Sequence, residues 1–357
     1  MDTIYGHESI KQKLEYAAKH GRLHHAYLFV GPKGVGKASL ARAFIKTLYC
    51  ERRASDGAFR ACGQCEMCLR FDKAVSYFQK NVKTNYFSSP SQKEPDKPIA
   101  AVGLPDYIEL EDNKAMLSVD VIRLLQERLA QALYGAPHRY VLIPEAAKMN
   151  ASAANCLLKT LEEPTTETTF ILTTSQPERL LPTIISRCQM VRFAAFEHDE
   201  VESWLRTRYT AAEEYVIAQV ATMASGSLGL AVELMQGDDR DAILSAFQMI
   251  INERDSIEAM TVAASLKGKK QIFIPVVRLL LLFLRDILYV QTVDETHIVL
   301  RHHQETVLRC ARTCAVEDVM RAIEAIQSYY EAFLGNGNEQ ILWERVALSF
   351  QRVLFRK

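Results

Sequence analysis

Apolar positions along the chain follow two rhythms. In the first half, short apolar runs alternate with amphipathic stretches. AYLFV at 26–30 is a continuous apolar and aromatic run that enters a glycine-rich turn, and SLARAFIKTLYC follows it with helical spacing. A buried strand, a tight loop and a helix are predicted there. Further strand candidates lie at 107–110, 140–143 and 169–173, with helical patterns at 119–132 and 151–161 between them. Alternating β and α elements predict a parallel sheet covered by helices. From about residue 200 the strand signals fade. Amphipathic stretches at 201–208 and 213–223, separated by Ser225-Gly226 and Gly237-Asp238-Asp239, predict a small helical domain. Residues 240–357 are helical in pattern, and 272–290 is apolar on nearly every side, which is the mark of a helix packed among other helices. The predicted organisation is an α/β domain over 1–195, a small helical domain over 196–238 and an all-helical domain over 239–357. A segment at 77–105, rich in Asn, Ser, Lys and Pro, reads as an exposed, poorly ordered insertion.

Charge narrows the function classes. Lysine and arginine total 43, as do aspartate and glutamate, so the uniformly basic surface of a simple nucleic-acid binder is absent. A hydrophobic content of 48% supplies folded cores. The apolar run at 279–284 is bounded by Arg278 and Arg285 and is far shorter than the roughly 20 residues that span a bilayer. Acidic residues Asp2, Glu8 and Glu15 near the start fit no signal peptide, so a cytoplasmic, membrane-free protein is expected.

Gly31-Pro32-Lys33-Gly34-Val35-Gly36-Lys37 has the G-x-x-x-x-G-K spacing of a phosphate-binding loop. Glycines let successive backbone N–H groups converge on an anion, the following helix adds its positive end, and Lys37 reaches the phosphates. The next residue should carry a hydroxyl for Mg²⁺, but it is Ala38. Ser39 comes one position late, and a helix turns its side chain by about 100° from the metal position. After the 140–143 strand the chain reads Pro144-Glu145-Ala146-Ala147, with no aspartate to hold the ion. Mg²⁺-dependent hydrolysis in cis is expected to be very slow or nil, while binding of ATP or ADP by Gly31, Gly34, Gly36 and Lys37 stays open.

Cys50, Cys62, Cys65 and Cys68 follow C-x11-C-x2-C-x2-C. Four thiolates on closely spaced turns suit tetrahedral Zn²⁺ and leave no open coordination position, so a structural zinc module over about 50–68 is expected.

Together LHHAYLFVGPKGVGK (23–37), CGQCEMC (62–68), NCLLKTLEEP (155–164) and PERLLPTIISRC (177–188) resemble the clamp-loader subunits of bacterial DNA polymerase III, above all the delta-prime group of that AAA+ family. The resemblance implies a P-loop domain, a helical lid and a collar through which five subunits join. It implies gamma/tau and delta subunits as partners, with the sliding clamp and primer-template DNA reached through the complex. It also implies that Arg187, in Ser186-Arg187-Cys188, is an arginine finger acting on the neighbour's nucleotide. Such a guanidinium is worth about 10³ to 10⁵ in rate. Ala38 and Pro144 point to the non-hydrolysing stator of the family. So does Gly229, which follows Gly226-Ser227-Leu228 where motor subunits carry a sensor arginine. Pairing of Arg187 with a carboxylate of its own domain is the plain alternative. Two other functions compete: a motor-type ATPase, which needs the missing Mg²⁺ contacts, and a free-standing zinc-containing nucleic-acid binder, for which no aromatic stacking pattern is present.

Overall fold

The computed structural model describes residues 4–52, 60–80, 104, 106–110, 117–133, 136–163, 167–237, 239–252, 255–294, 298–335 and 337–354. The chain forms two compact units, 1–195 and 196–357.

Unit 1 runs α1 (Glu8–Lys19), β1 (Ala26–Val30), α2 (Lys37–Tyr49), α3 (Glu66–Lys80), β2 (Tyr107–Glu109), α4 (Val119–Leu129), β3 (Arg139–Ile143), α5 (Ala151–Glu162), β4 (Thr168–Thr174), α6 (Pro182–Ile185) and β5 (Gln189–Arg192). The strands form one parallel sheet in the order β2-β3-β4-β1-β5. Every residue of β1, β3 and β4 is buried, because helices cover both faces of the sheet. One face packs Leu28, Val30, Val141, Ile143, Phe170 and Leu172 against Ile122 and Leu125 of α4 and Leu157 of α5. Val30 pairs with Thr174 and Ile143 with Leu172, so the loops that leave β1, β3 and β4 emerge along the same edge. Parallel sheets bind ligands at that carboxyl edge.

The strand β5 has no apolar run to announce it. Gln189 and Arg192 are exposed and only Met190 and Val191 are partly covered, as suits a strand at the sheet edge. The helix expected over 119–132 stops at Leu129 because Arg139 reaches its end. That guanidinium donates to the carbonyls of Leu129 at 3.0 Å and Gln131 at 2.9 Å, and lies 3.6 Å from the buried Asp106 carboxylate. At a second buried carboxylate of unit 1, Glu109 of β2, Arg42 of α2 forms a 2.5 Å ion pair and the Tyr107 hydroxyl donates. An ion pair so enclosed anchors β2 to α2, since removing one partner would strand a charge. Of the segment 77–105, the backbone of 77–80 completes α3; residues 81–103 and 105 lie outside the described residues.

Unit 2 is helical: α7 (His198–Arg208), α8 (Glu214–Ala224), α9 (Leu228–Gln236), α10 (Asp239–Asn252), α11 (Ser256–Ser265), α12 (Lys270–Thr292), α13 (Gln304–Thr313), α14 (Val316–Leu334) and α15 (Glu339–Leu354). The apolar α12 is enclosed by its neighbours: Phe273 stacks on Phe333 at 4.3 Å and meets Trp343 edge-on at 4.7 Å. Among the described residues no helix is long and apolar enough to cross a membrane.

Candidate functional site

The loop from 31 to 37 leaves β1 at the carboxyl edge of the sheet and opens α2. Gly34 and Gly36 have φ values of 79° and 95°, a region that side chains with a Cβ avoid, and Gly36 caps α2. Gly31 is required by contact instead: a Cβ there would lie 2.4 Å from the Phe193 carbonyl oxygen. Phe193 is brought there by its own N–H, which donates to the Val30 carbonyl at 2.7 Å as the chain leaves β5. His7 closes the far side, with Nε2 donating to the Val35 carbonyl at 2.8 Å and the ring edge-on to Phe193 at 4.8 Å. Lys37 is only 4% exposed, and its Nζ donates to the carbonyls of Gly31 and Pro32, each at 2.8 Å. Burial lowers its pKa, and the charge of Glu145 opposes that shift. The ammonium therefore lies inside the loop it must serve, and engaging a phosphate means exchanging two carbonyl acceptors for phosphate oxygens.

The residues that should grip a magnesium ion do not fit one. Ala38 carries no oxygen, and Ser39 is exposed on the next position of α2. Where β3 ends, Pro144 fills the place of the metal-binding aspartate. Mg²⁺ is held in such sites by one or two protein oxygens plus the phosphates, and neither protein position offers a side-chain oxygen here. Glu145 is present, in the left-handed region at φ 47°. Its N–H donates to Thr173 Oγ1 at 3.2 Å, and its Oε2 accepts from the Ser175 hydroxyl at 3.2 Å. Ser175 thus binds the glutamate, while Thr174 is buried and accepts from the Gln176 N–H at 3.0 Å, capping the turn.

Arg187 follows α6 and stands partly exposed. Its Nη2 is 2.5 Å from Glu162 Oε1 on α5, and its Nη1 donates to the Thr183 carbonyl at 3.0 Å. The structure therefore places the finger candidate against a carboxylate of its own unit. Glu162 is the partner that sequence reasoning missed, since 25 positions separate the two and no local pattern joins them. Basic residues on the neighbouring helices have local partners or face solvent: Arg123 pairs with Asp120 at 3.4 Å, Arg128 donates to Gln131 at 2.5 Å, and Lys159 is exposed on α5. In unit 2, α9 reads LGLAVELMQ and has no arginine to serve as a sensor. His24 and His25 are exposed at the start of β1, the end opposite the phosphate loop.

The four cysteines converge. Cys50 caps the end of α2, Cys65 and Cys68 bracket the start of α3, and Cys62 lies on the turn between, with Gly63 at φ 72°. Their four sulfurs all lie within 4.8 Å of one another, and those of Cys62 and Cys68 are 4.0 Å apart. A tetrahedron of sulfurs about 2.3 Å from zinc has edges of about 3.8 Å, so a small contraction closes the shell. Backbone N–H groups of Cys65 and Gln64 approach Cys62 Sγ at 3.3 and 3.5 Å and lower its pKa to about 6. Burial pushes the thiols of Cys50 and Cys68 up. A dication held by these four residues would supply the counter-charge that lets all of them exist as thiolates. The residues fit a structural zinc ion.

A five-stranded parallel sheet with the phosphate-loop strand between β4 and β5, and a helix opened by Gly36 and Lys37, defines an α/β P-loop protein. Sequence comparison agrees and is more specific: the family described as DNA polymerase III, delta subunit, matches residues 6–197, and the chain belongs to that family. It is 31% identical over 233 residues to DNA polymerase III subunit delta-prime of Escherichia coli (strain K12), covering 65% of this chain and 60% of that protein. To subunit delta-prime of Bacillus subtilis (strain 168) it is 27% identical over 338 residues, covering 92% of both chains. Subunit tau of Bacillus subtilis (strain 168) is 29% identical over 242 residues, which is 68% of this chain but 36% of tau.

Proposed function

We propose that this chain is the non-hydrolysing stator of a bacterial replicative clamp loader. It joins gamma/tau and delta subunits in a five-subunit ring, lends Arg187 to the nucleotide site of a neighbouring ATPase, and helps the complex place a sliding clamp on primed DNA in the cytoplasm. Residues 196–238 serve as the lid and 239–357 as the collar. The four thiolates of Cys50, Cys62, Cys65 and Cys68 hold one Zn²⁺ that staples α2 to α3 and performs no chemistry.

One observation carries the stator reading. The phosphate loop keeps its fold, with Gly31 packed on Phe193 and Lys37 buried, while Ala38 and Pro144 stand where the two magnesium contacts belong. Gly31, Gly34, Gly36 and Lys37 thus form a site for ATP or ADP without turnover. The likeness to proteins named delta-prime and tau supports a role within the same assembly.

Mixing experiments test this role. Gamma/tau and delta subunits combined with the chain are expected to show ATP turnover stimulated by clamp and primed DNA. The same mixture without the chain should show little. If the chain does not co-elute with those subunits, or if turnover is the same without it, the assignment is wrong.

A further inference from the structure

A finger that acts in trans must be held somewhere before it is used, and the contact between Arg187 and Glu162 supplies such a place. We infer that Glu162 is the resting counter-ion of Arg187: its carboxylate occupies the guanidinium until the terminal phosphate of the neighbour's nucleotide replaces it. This role for Glu162 rests on the reading of Arg187 as a finger.

The geometry separates two tasks. Nη1 is held by the Thr183 carbonyl at 3.0 Å, four residues earlier in the chain, so this bond orients the side chain relative to its own backbone. Nη2 is taken by Glu162 at 2.5 Å, from a different helix, so this bond sets where the charged end points. Both partners are open to solvent, with side-chain exposures of 34% for Arg187 and 48% for Glu162, so an incoming anion can reach the pair. Glu162 is the last residue of α5, where the partial negative charge of the helix end disfavours a carboxylate. Its stabilisation therefore comes from the arginine rather than from its helix.

Magnitudes favour exchange. Exposed ion pairs contribute little, because water screens them and two long side chains must be ordered. A phosphoryl group offers several oxygens and more charge to a planar guanidinium, so it displaces a single carboxylate oxygen. The carboxylate is then absent from both the ATP-bound state and the transition state. Its removal should change the apparent affinity for ATP and leave the rate of the chemical step alone.

The test uses the reconstituted complex carrying Glu162→Gln, with ATP turnover at the adjoining site measured against ATP concentration. KM is expected to fall by about two- to fivefold, the equivalent of losing one exposed ion pair, with kcat unchanged. In an Arg187→Ala background the same Glu162→Gln change should leave KM where it was, because the pair no longer exists. Thermal melting of the single variant, equal to that of the parent, separates this effect from misfolding. A KM that is unchanged or raised by Glu162→Gln would overturn the inference, as would an equal fall in KM in the Arg187→Ala background. If Arg187→Ala itself leaves turnover unchanged in a fully assembled ring, the finger reading fails first and the inference falls with it, an outcome distinct from either of the others.

Discussion

In a reconstituted complex, Arg187→Ala is expected to slow ATP turnover at the adjoining nucleotide site by about 10³-fold or more, the lower range of what an arginine finger supplies. The physical reason is the match between a planar, permanently charged fork and the charge that spreads over a transferring phosphoryl group. The substitution should spare the fold. Arg187 is partly exposed, and its bonds to Glu162 and Thr183 lie at the surface of unit 1, where such pairs contribute only about 0.2–1 kcal/mol. Gel filtration of the mutant complex checks assembly, and single-turnover hydrolysis at the affected site measures the loss. Arg187→Lys keeps the charge but not the fork, so it should recover only part of the rate. Unchanged turnover in a complex that contains all its subunits would remove Arg187 from the reaction and leave its pairing with Glu162 as a local contact.

The second large effect concerns the cysteines. Purified chain is expected to carry one zinc ion, and Cys65→Ser should lose it. Cys65 is buried between the turn of Cys62 and the start of α3, so its loss opens the shell on the side facing the core. Structural zinc binding in small modules is worth about 10–16 kcal/mol and is largely folding free energy. Its loss should therefore loosen the junction of α2 and α3 and raise amide exchange across residues 60–68, with little change in the sheet. Cys156→Ser, outside the cluster, serves as the control and should keep the metal. A stoichiometric ion retained by Cys65→Ser would show that the four thiols are not its ligands.

What the sequence disclosed depended on how local each signal is. The phosphate loop was legible because strand, glycines and lysine are contiguous, and the deficits at Ala38 and Pro144 could be read as single letters against a fixed spacing. The four-cysteine cluster was legible for the same reason, since three of its members lie within seven residues. The strand β5 was not, because an edge strand needs apolar residues on one side only and this one has few. Contacts between distant segments left no trace either. Gly31 reads as one glycine among several, yet its necessity comes from Phe193, and His7 reaches Val35 from the start of the chain. The partner of Arg187 was hidden for the same reason: Glu162 lies 25 positions away on α5, and the turn of α6 brings the arginine to it.

The proposed stator role rests on a phosphate-loop fold in unit 1 that lacks, at Ala38 and Pro144, the side-chain oxygens that would grip the metal needed for cleavage. The most direct test is ATP turnover by the pure, isolated chain in the presence of Mg²⁺, measured beside a Lys37→Ala variant. The two are predicted to be indistinguishable and at background. Turnover that requires Mg²⁺ and disappears with Lys37→Ala would contradict the stator reading at its root.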